Sequence, residues 1–271
     1  MAGLAAFLAV LAAVVPPPDA RWQYQLEGRV DPNVCAVPAA GGPCVRPEVI
    51  DFDLYSDYAV APLHARGGYA ICYVDAGGIE NYRPDWPRFV RWHRRHGKSL
   101  LGKPFSARFP DERWANVGGA KQRRFLLRLM EERVRRCARV GFDAVEFDVI
   151  EAWSSGRKVT GWHVTYRDQL IYNRALARIA HRHGLAVGLK NDLGQIPDLI
   201  RWFDFAINEE CLTYDECKRL RPFTAAGKPV FHVEYENRPA AFCPVTEALG
   251  FKSIKKSRDF SLFARPYVPC S

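Results

Sequence analysis

Six short apolar runs constrain this chain more than any other feature. Val49–Leu54, Ala70–Ala76, Ala144–Ile150, Ala186–Asn191, Phe205–Cys211 and Pro229–Tyr235 are nearly continuous in apolar residues, and each carries charged or amide groups toward its far end. Strands buried on both faces, as in parallel sheets, read this way. Helical spacing fills the stretches between them. Arg123–Val140 repeats Phe125, Leu126, Leu129, Met130, Val134 and Cys137, and Arg167–His183 repeats Leu170, Ile171, Ala175, Ile179 and Ala180. Regular alternation of strand and helix implies a parallel sheet. Two weaker runs, Leu100–Phe105 and Phe251–Ile254, bring the count to eight, which closes a (β/α)8 TIM barrel. A length of 271 residues suits one such domain. An open doubly wound sheet is the alternative, but no Gly-rich phosphate turn follows any run.

The ends and the overall charge set the context. Leu4–Val15 is an unbroken apolar run, too short to span a bilayer, followed by Pro16-Pro17-Pro18 and the small Ala20. Residues 1–20 therefore read as a signal peptide, although no Lys or Arg precedes the run. The domain is expected over 21–271, with 21–48, rich in Pro, Gly and Ala, as an irregular lead-in. Eight cysteines suit an oxidising compartment, and the chain is expected to be secreted; their pairing is left open. The net charge is +9. Its arginines are spread along helices, as at Arg133, Arg135, Arg136 and Arg139, and read as a solvated surface. No nucleic-acid motif accompanies them, so neither nucleic acid nor membrane insertion is expected. A monomer is expected. No CxxC pair or His/Cys array has zinc spacing, and no metal or other cofactor is expected.

Chemistry collects where the runs end: Asp51 and Asp53, Asp75, Glu146 and Asp148, Lys190 and Asn191, Glu209, Glu234. A barrel builds its active site on that face from several strand ends. Charges inside apolar runs are rare unless paired or functional. In Ala144-Val-Glu146-Phe-Asp148 alternation points both acids one way, into the mouth, with Glu146 a layer deeper, and points Val145, Phe147 and Val149 outward. Two like charges so close call for a raised pKa or a cationic neighbour, which Lys190 can supply. Glycoside cleavage needs two carboxyl groups across the scissile bond. Asp148 and Glu209, on the fourth and sixth runs, are the expected catalytic pair.

A set of motifs adds to this. Trp22-Gln23-Tyr24-Gln25-Leu26, Val49-Ile50-Asp51-Phe52-Asp53-Leu54, Ile71-Cys72-Tyr73, Glu80-Asn81-Tyr82-Arg83-Pro84-Asp85, Gly141 through Asp148, Gly188-Leu189-Lys190-Asn191, Asn208-Glu209-Glu210-Cys211 and Val233-Glu234-Tyr235 resemble, in order, glycoside hydrolase family 114. That family resembles endo-α-1,4-polygalactosaminidases, so the resemblance implies a (β/α)8 barrel, an amino-sugar polysaccharide as substrate, no metal, and a working Asp and Glu. The family's strand-four Asp falls on Asp148, and the Glu of its Asn-Glu-x-Cys motif on Glu209.

The chain also departs from the pattern. It has Asp75 where the family tends to Ser, Phe147-Asp148-Val149 for Pro-Asp-Asn, and Glu151 for a second Asp. A Trp-Leu-Asp-Ile-Arg motif becomes Trp114-Ala115-Asn116-Val117-Gly118, losing an acid and a base. Those losses motivate the alternative of a non-catalytic glycan-binding barrel. Asp53, Asp75, Glu146 and Glu234 are expected to bind substrate hydroxyls or amines. Lys190 is expected to orient carboxylates, and Asn191 to hydrogen-bond Glu209 or substrate, or to cap a helix. Tyr73, Tyr82, Trp153, Trp162 and Tyr235 are the candidate stacking aromatics, with Trp153 foremost.

Overall fold

The computed structural model describes residues 13–271. Most of the segment read as a signal peptide, residues 1–12, lies outside the described residues. Twelve strands follow: β1 Trp22–Gln25, β2 Val49–Asp53, β3 Tyr69–Asp75, β4 Gly78–Glu80, β5 Leu101–Pro104, β6 Glu112–Ala115, β7 Ala144–Asp148, β8 Ala186–Lys190, β9 Phe205–Glu209, β10 Val230–Glu234, β11 Lys252–Lys255 and β12 Val268–Pro269. Eight of them, β1, β2, β3, β7, β8, β9, β10 and β11, pair in parallel in that spatial order. β1 and β11 come into contact to bring the barrel round, and Lys256, just past β11, donates to Gln23 Oε1 at 3.2 Å across the seam. β12 runs antiparallel beside β11. Helices lie between the strands, the longest being Ala120–Val140 and Tyr166–Arg182. This is a single-domain TIM barrel, as the alternation implied.

One strand of the eight differs from the sequence reading. Leu100–Phe105 does not enter the barrel. Leu101–Pro104 pairs antiparallel with β6, which also pairs with β4, to form a three-stranded flap. The barrel instead takes β1 from the segment read as irregular. The exchange leaves Asp148 on the fourth barrel strand and Glu209 on the sixth.

Alternation divides the apolar residues into two cores. One face of each strand packs on the helices through Ile50, Phe52, Cys72, Val74, Val145, Phe147, Val187 and Leu189. The other fills the barrel with Trp22, Tyr24, Val49, Ile71, Tyr73, Phe205, Ile207, Phe231 and Val233. Gly188 has to be glycine for this packing: a Cβ there would stand 2.5 Å from the Phe205 ring. The long helix ends at Gly141, whose φ of 101° makes a left-handed cap that returns the chain into β7. Four disulfides, Cys35–Cys44, Cys72–Cys137, Cys211–Cys217 and Cys243–Cys270, use every cysteine. Among the described residues no helix is long and apolar enough to cross a membrane.

Candidate active site

The interior layer just beneath the barrel mouth is ionic. Lys190 projects from β8, 1% exposed, and its Nζ lies 3.0 Å from Glu146 Oε1, 3.0 Å from Asp148 Oδ1 and 3.4 Å from Glu209 Oε2. It also donates to Tyr24 Oη at 2.9 Å. Burial alone would lower its pKa, but the charges of Asp148, Glu146 and Glu209 carry it well above the ordinary lysine value. This ammonium thus sits among three carboxylates from the neighbouring strands β7 and β9.

The two expected catalytic groups differ in their donors. Asp148 accepts from Tyr73 Oη at 2.8 Å, from Lys190 at 3.0 Å and from the Val149 backbone N–H at 2.9 Å. Both of its oxygens are held as acceptors. Glu209 accepts from Tyr235 Oη at 2.5 Å through Oε1, and its Oε2 meets only Lys190 at the longer distance. Asp148 and Glu209 keep side-chain exposures of 20% and 28%, so both reach the cleft.

Glu146 sits one layer deeper, fully buried. Burial, with Asp148 adding to it, raises its pKa to about 7 against the pull of Lys190. Asp51 on β2 lies beside it, and burial with the nearby Glu146 carries its pKa well up. Asp51 Oδ1, Asp51 Oδ2 and Glu146 Oε2 have no hydrogen-bond donor. A proton carried by Asp51 relieves its repulsion with Glu146, which stays paired with Lys190.

Three strand ends share one backbone device. Val149, Asn191 and Glu210, the residues immediately after Asp148, Lys190 and Glu209, have φ of 59°, 48° and 60°. This left-handed conformation is unusual for any residue but glycine and is strained for a β-branched valine. It breaks strand alternation, so both members of each pair line the same cleft. The Val149 side chain itself stays buried in the helix-facing cluster with Val145 and Phe147. Asn191 also fixes its neighbour: its Oδ1 accepts the Glu209 backbone N–H at 3.0 Å.

The cleft above this layer encloses about 790 Å³. Nine carboxylates line it, Glu27, Asp53, Glu80, Asp111, Glu112, Asp148, Glu151, Glu209 and Glu210, against the cations Arg83, Arg108 and Lys190. Arg83 is already committed, at 2.6 Å from Asp53 Oδ2 and 2.5 Å from Glu80 Oε2. Burial and neighbouring acids raise Glu112 and Glu151 to about 8 and Glu210 to about 7. The basic excess of the chain lies elsewhere, so the cleft is an acidic depression in a basic protein.

Tyr73, Tyr82, Tyr235, Asp53, Lys190 and Asn191 line the cleft as expected residues. Five expected residues do not. Glu146 is fully buried beneath the cleft and meets Lys190 instead of substrate. Asp75 is 1% exposed and accepts the Gly78 backbone N–H at 2.6 Å, so its carboxylate closes the turn between β3 and β4. Glu234 follows Val233 by one position, and alternation carries it to the outer face. There it accepts from the Leu212 N–H at 2.8 Å, Thr213 Oγ1 at 3.0 Å and Asn237 Nδ2 at 2.9 Å, clamping the loop after β9. Trp153 packs edge-on to Tyr166 and donates to Asp192 Oδ1 at 2.7 Å, away from the cleft. Trp162 is likewise absent from the lining.

Sequence reasoning missed Tyr24, Glu112 and Glu210 as site residues, and named Asp51 among the strand-end acids without giving it a role. Asp51 had the same parity as Asp53, and Tyr24 the same parity as Trp22 in a run that does alternate. Asn116, at the position where a motif acid is lost, is structural. Its amide bridges the Ser99 carbonyl and the Gly118 N–H, both at 2.9 Å.

Comparison with known proteins follows this geometry. No curated protein sequence matches the chain. Among solved structures, Aspergillus fumigatus Ega3 in complex with galactosamine is similar, at 26% identity and a TM-score of 0.75, over 93% of this chain and 97% of that one. The glycoside hydrolase domain of PelA from Pseudomonas aeruginosa is similar in fold, at 14% identity and a TM-score of 0.61, over 93% and 98% of the two chains. An α-galactosidase from Thermus thermophilus shares the barrel, at 10% identity and a TM-score of 0.52, over 92% of this chain and 59% of that one. Residues 5–268 match the model of glycoside-hydrolase family GH114, and the chain belongs to that family and is a glycoside hydrolase.

Proposed function

We propose that this protein is a secreted endo-acting hydrolase of α-1,4-linked galactosamine polymers, working through Asp148 and Glu209. The acidic cleft in a protein of net charge +9 is the observation that carries the proposal. A neutral glycan gains only hydrogen bonds to its hydroxyls from these carboxylates, and an anionic one is repelled by them. A polymer of protonated amino sugars is matched to them. The galactosamine bound to similar Ega3 supports the same sugar. Four disulfides support an oxidising, extracellular destination.

In the proposed mechanism Asp148 is the nucleophile. Three donors orient it and leave its electron pairs available to the anomeric carbon. Glu209, with one oxygen nearly free, protonates the leaving oxygen and then activates water. Lys190 holds the two apart in a fixed frame, and Tyr73 and Tyr235 fix the rotamers of the pair.

The test is release of reducing ends from three polymers under one set of conditions: de-N-acetylated galactosamine polymer, its N-acetylated form, and polygalacturonate. Cleavage of the first, with the second slower and the third untouched, is expected. Equal or faster cleavage of polygalacturonate would overturn the substrate class.

A further inference from the structure

Glu210 has no assigned task in the chemistry above. It is 7% exposed and lines the cleft beside Glu209. Among the described residues its carboxylate has no hydrogen-bond donor and no cation within ion-pair distance. The nearest base, Lys255, is committed to the Tyr235 backbone carbonyl, to which its ammonium donates. The Glu210 oxygens stay open to the cleft, where a ligand can supply the partner the protein does not.

The backbone makes this position deliberate. A regular strand would send the side chain after Glu209 away from the interior. The left-handed φ of 60° ends that alternation, and Glu210 borders the cleft beside Glu209. That strain is held from both sides. The Glu210 N–H donates to the Val233 carbonyl at 2.8 Å, and its own carbonyl accepts from the Tyr214 N–H at 3.1 Å. Next to it the Cys211–Cys217 disulfide closes the loop, and Glu234 clamps Leu212 and Thr213. Strain persists where the surroundings over-determine it, and such places cluster at functional sites.

We infer that Glu210 forms a subsite, separate from the catalytic pair, that receives the protonated amine of a substrate sugar and so distinguishes free amine from N-acetyl. This rests on the cationic-polymer reading above. An ammonium offers three N–H donors and a full charge to the unpartnered carboxylate. An N-acetyl group offers one N–H, no charge, and added bulk. Burial and the neighbouring Glu234 and Glu209 hold the empty carboxyl near a pKa of about 7, a burden that an arriving ammonium relieves.

The experiment measures KM and kcat for wild type, Glu210→Gln and Glu210→Ala on free-amine and N-acetylated galactosamine oligomers, with binding of both oligomers by calorimetry. Wild type is expected to prefer the free amine. Both variants should raise KM for it by about tenfold, the scale of one charge-assisted hydrogen bond, with kcat within about twofold. Both should leave the acetylated oligomer nearly unchanged. A wild-type preference that persists undiminished in both variants overturns the subsite and leaves the polymer reading standing. A wild type that binds the two oligomers equally overturns both. Because no partner bond is lost and a repelled charge is removed, an equal or higher thermal midpoint is expected for Glu210→Gln.

Discussion

At the residue scale Lys190 is the key group. It is a fully buried cation compensated by three carboxylates, and each depends on it in turn. Removing one partner of a buried ionic cluster leaves charge without compensation, which costs about 3–5 kcal/mol. Lys190→Met is therefore expected to destabilise the fold by roughly that much in urea denaturation and to abolish turnover. A loss under about 1 kcal/mol would show that the carboxylates do not need it. Much of this residue-level pattern was legible in the sequence. Acids at the ends of apolar runs with a lysine on the intervening strand mark the ionic layer, and parity places Glu146 below Asp148. Glu234 was misplaced because it obeys alternation, and proximity to a strand end conceals that it faces outward. The left-handed angles at Val149, Asn191 and Glu210 are announced by no residue type in the sequence.

At the element scale the site depends on β7, β8 and β9 lying side by side. Lys190 Nζ, from the middle strand, lies 3.0 Å from an oxygen of Asp148 and 3.4 Å from an oxygen of Glu209, the pair proposed as catalytic. Carboxyl groups gathered on one ammonium stand close together, as the ~5 Å of a retaining pair requires. The first-formed product is expected to keep the anomeric configuration of the substrate, read by proton NMR before mutarotation. Inverted product at early times would contradict the assignment of Asp148 as nucleophile. All six strong runs became barrel strands; those of β7, β8 and β9 lose regular alternation at the left-handed residue that follows each strand, and β3 ends with its last acid diverted into a turn. The miss at β1 has a physical reason. Trp22–Gln25 is only four residues long, and it is flanked by Pro- and Gly-rich sequence whose composition dominates any window that contains it. The flap strand β5 is as apolar at its start as a barrel strand, and only its antiparallel partner tells them apart.

At the scale of the whole molecule, charge is sorted: basic helices outside, an acidic cleft within. Glu146 and Glu210 are raised to about 7, and Glu112, Glu151 and Asp192 to about 8, all chiefly by burial. A carboxyl raised on folding binds more protons in the folded state. Its contribution to stability is present below the unfolded value and is lost as pH rises through the folded one. His93 and Lys256, both lowered by burial, act in the opposite direction but are two groups against five. The thermal midpoint of the free protein is expected to fall between pH 5 and pH 7, and added galactosamine oligomer should restore more of it at pH 7 than at pH 5. A midpoint that rises across that interval would mean the cleft carboxyls are ionised at little cost.

The most direct measurement is the rate of reducing-end release from de-N-acetylated α-1,4-galactosamine polymer by wild type, Asp148→Asn and Glu209→Gln, each confirmed folded by its thermal midpoint. The expected result is measurable turnover by wild type and a loss of roughly a thousandfold or more in each variant, since general acid catalysis alone contributes ~10²–10⁴-fold. Either variant retaining near-wild-type turnover would contradict the roles given to the pair.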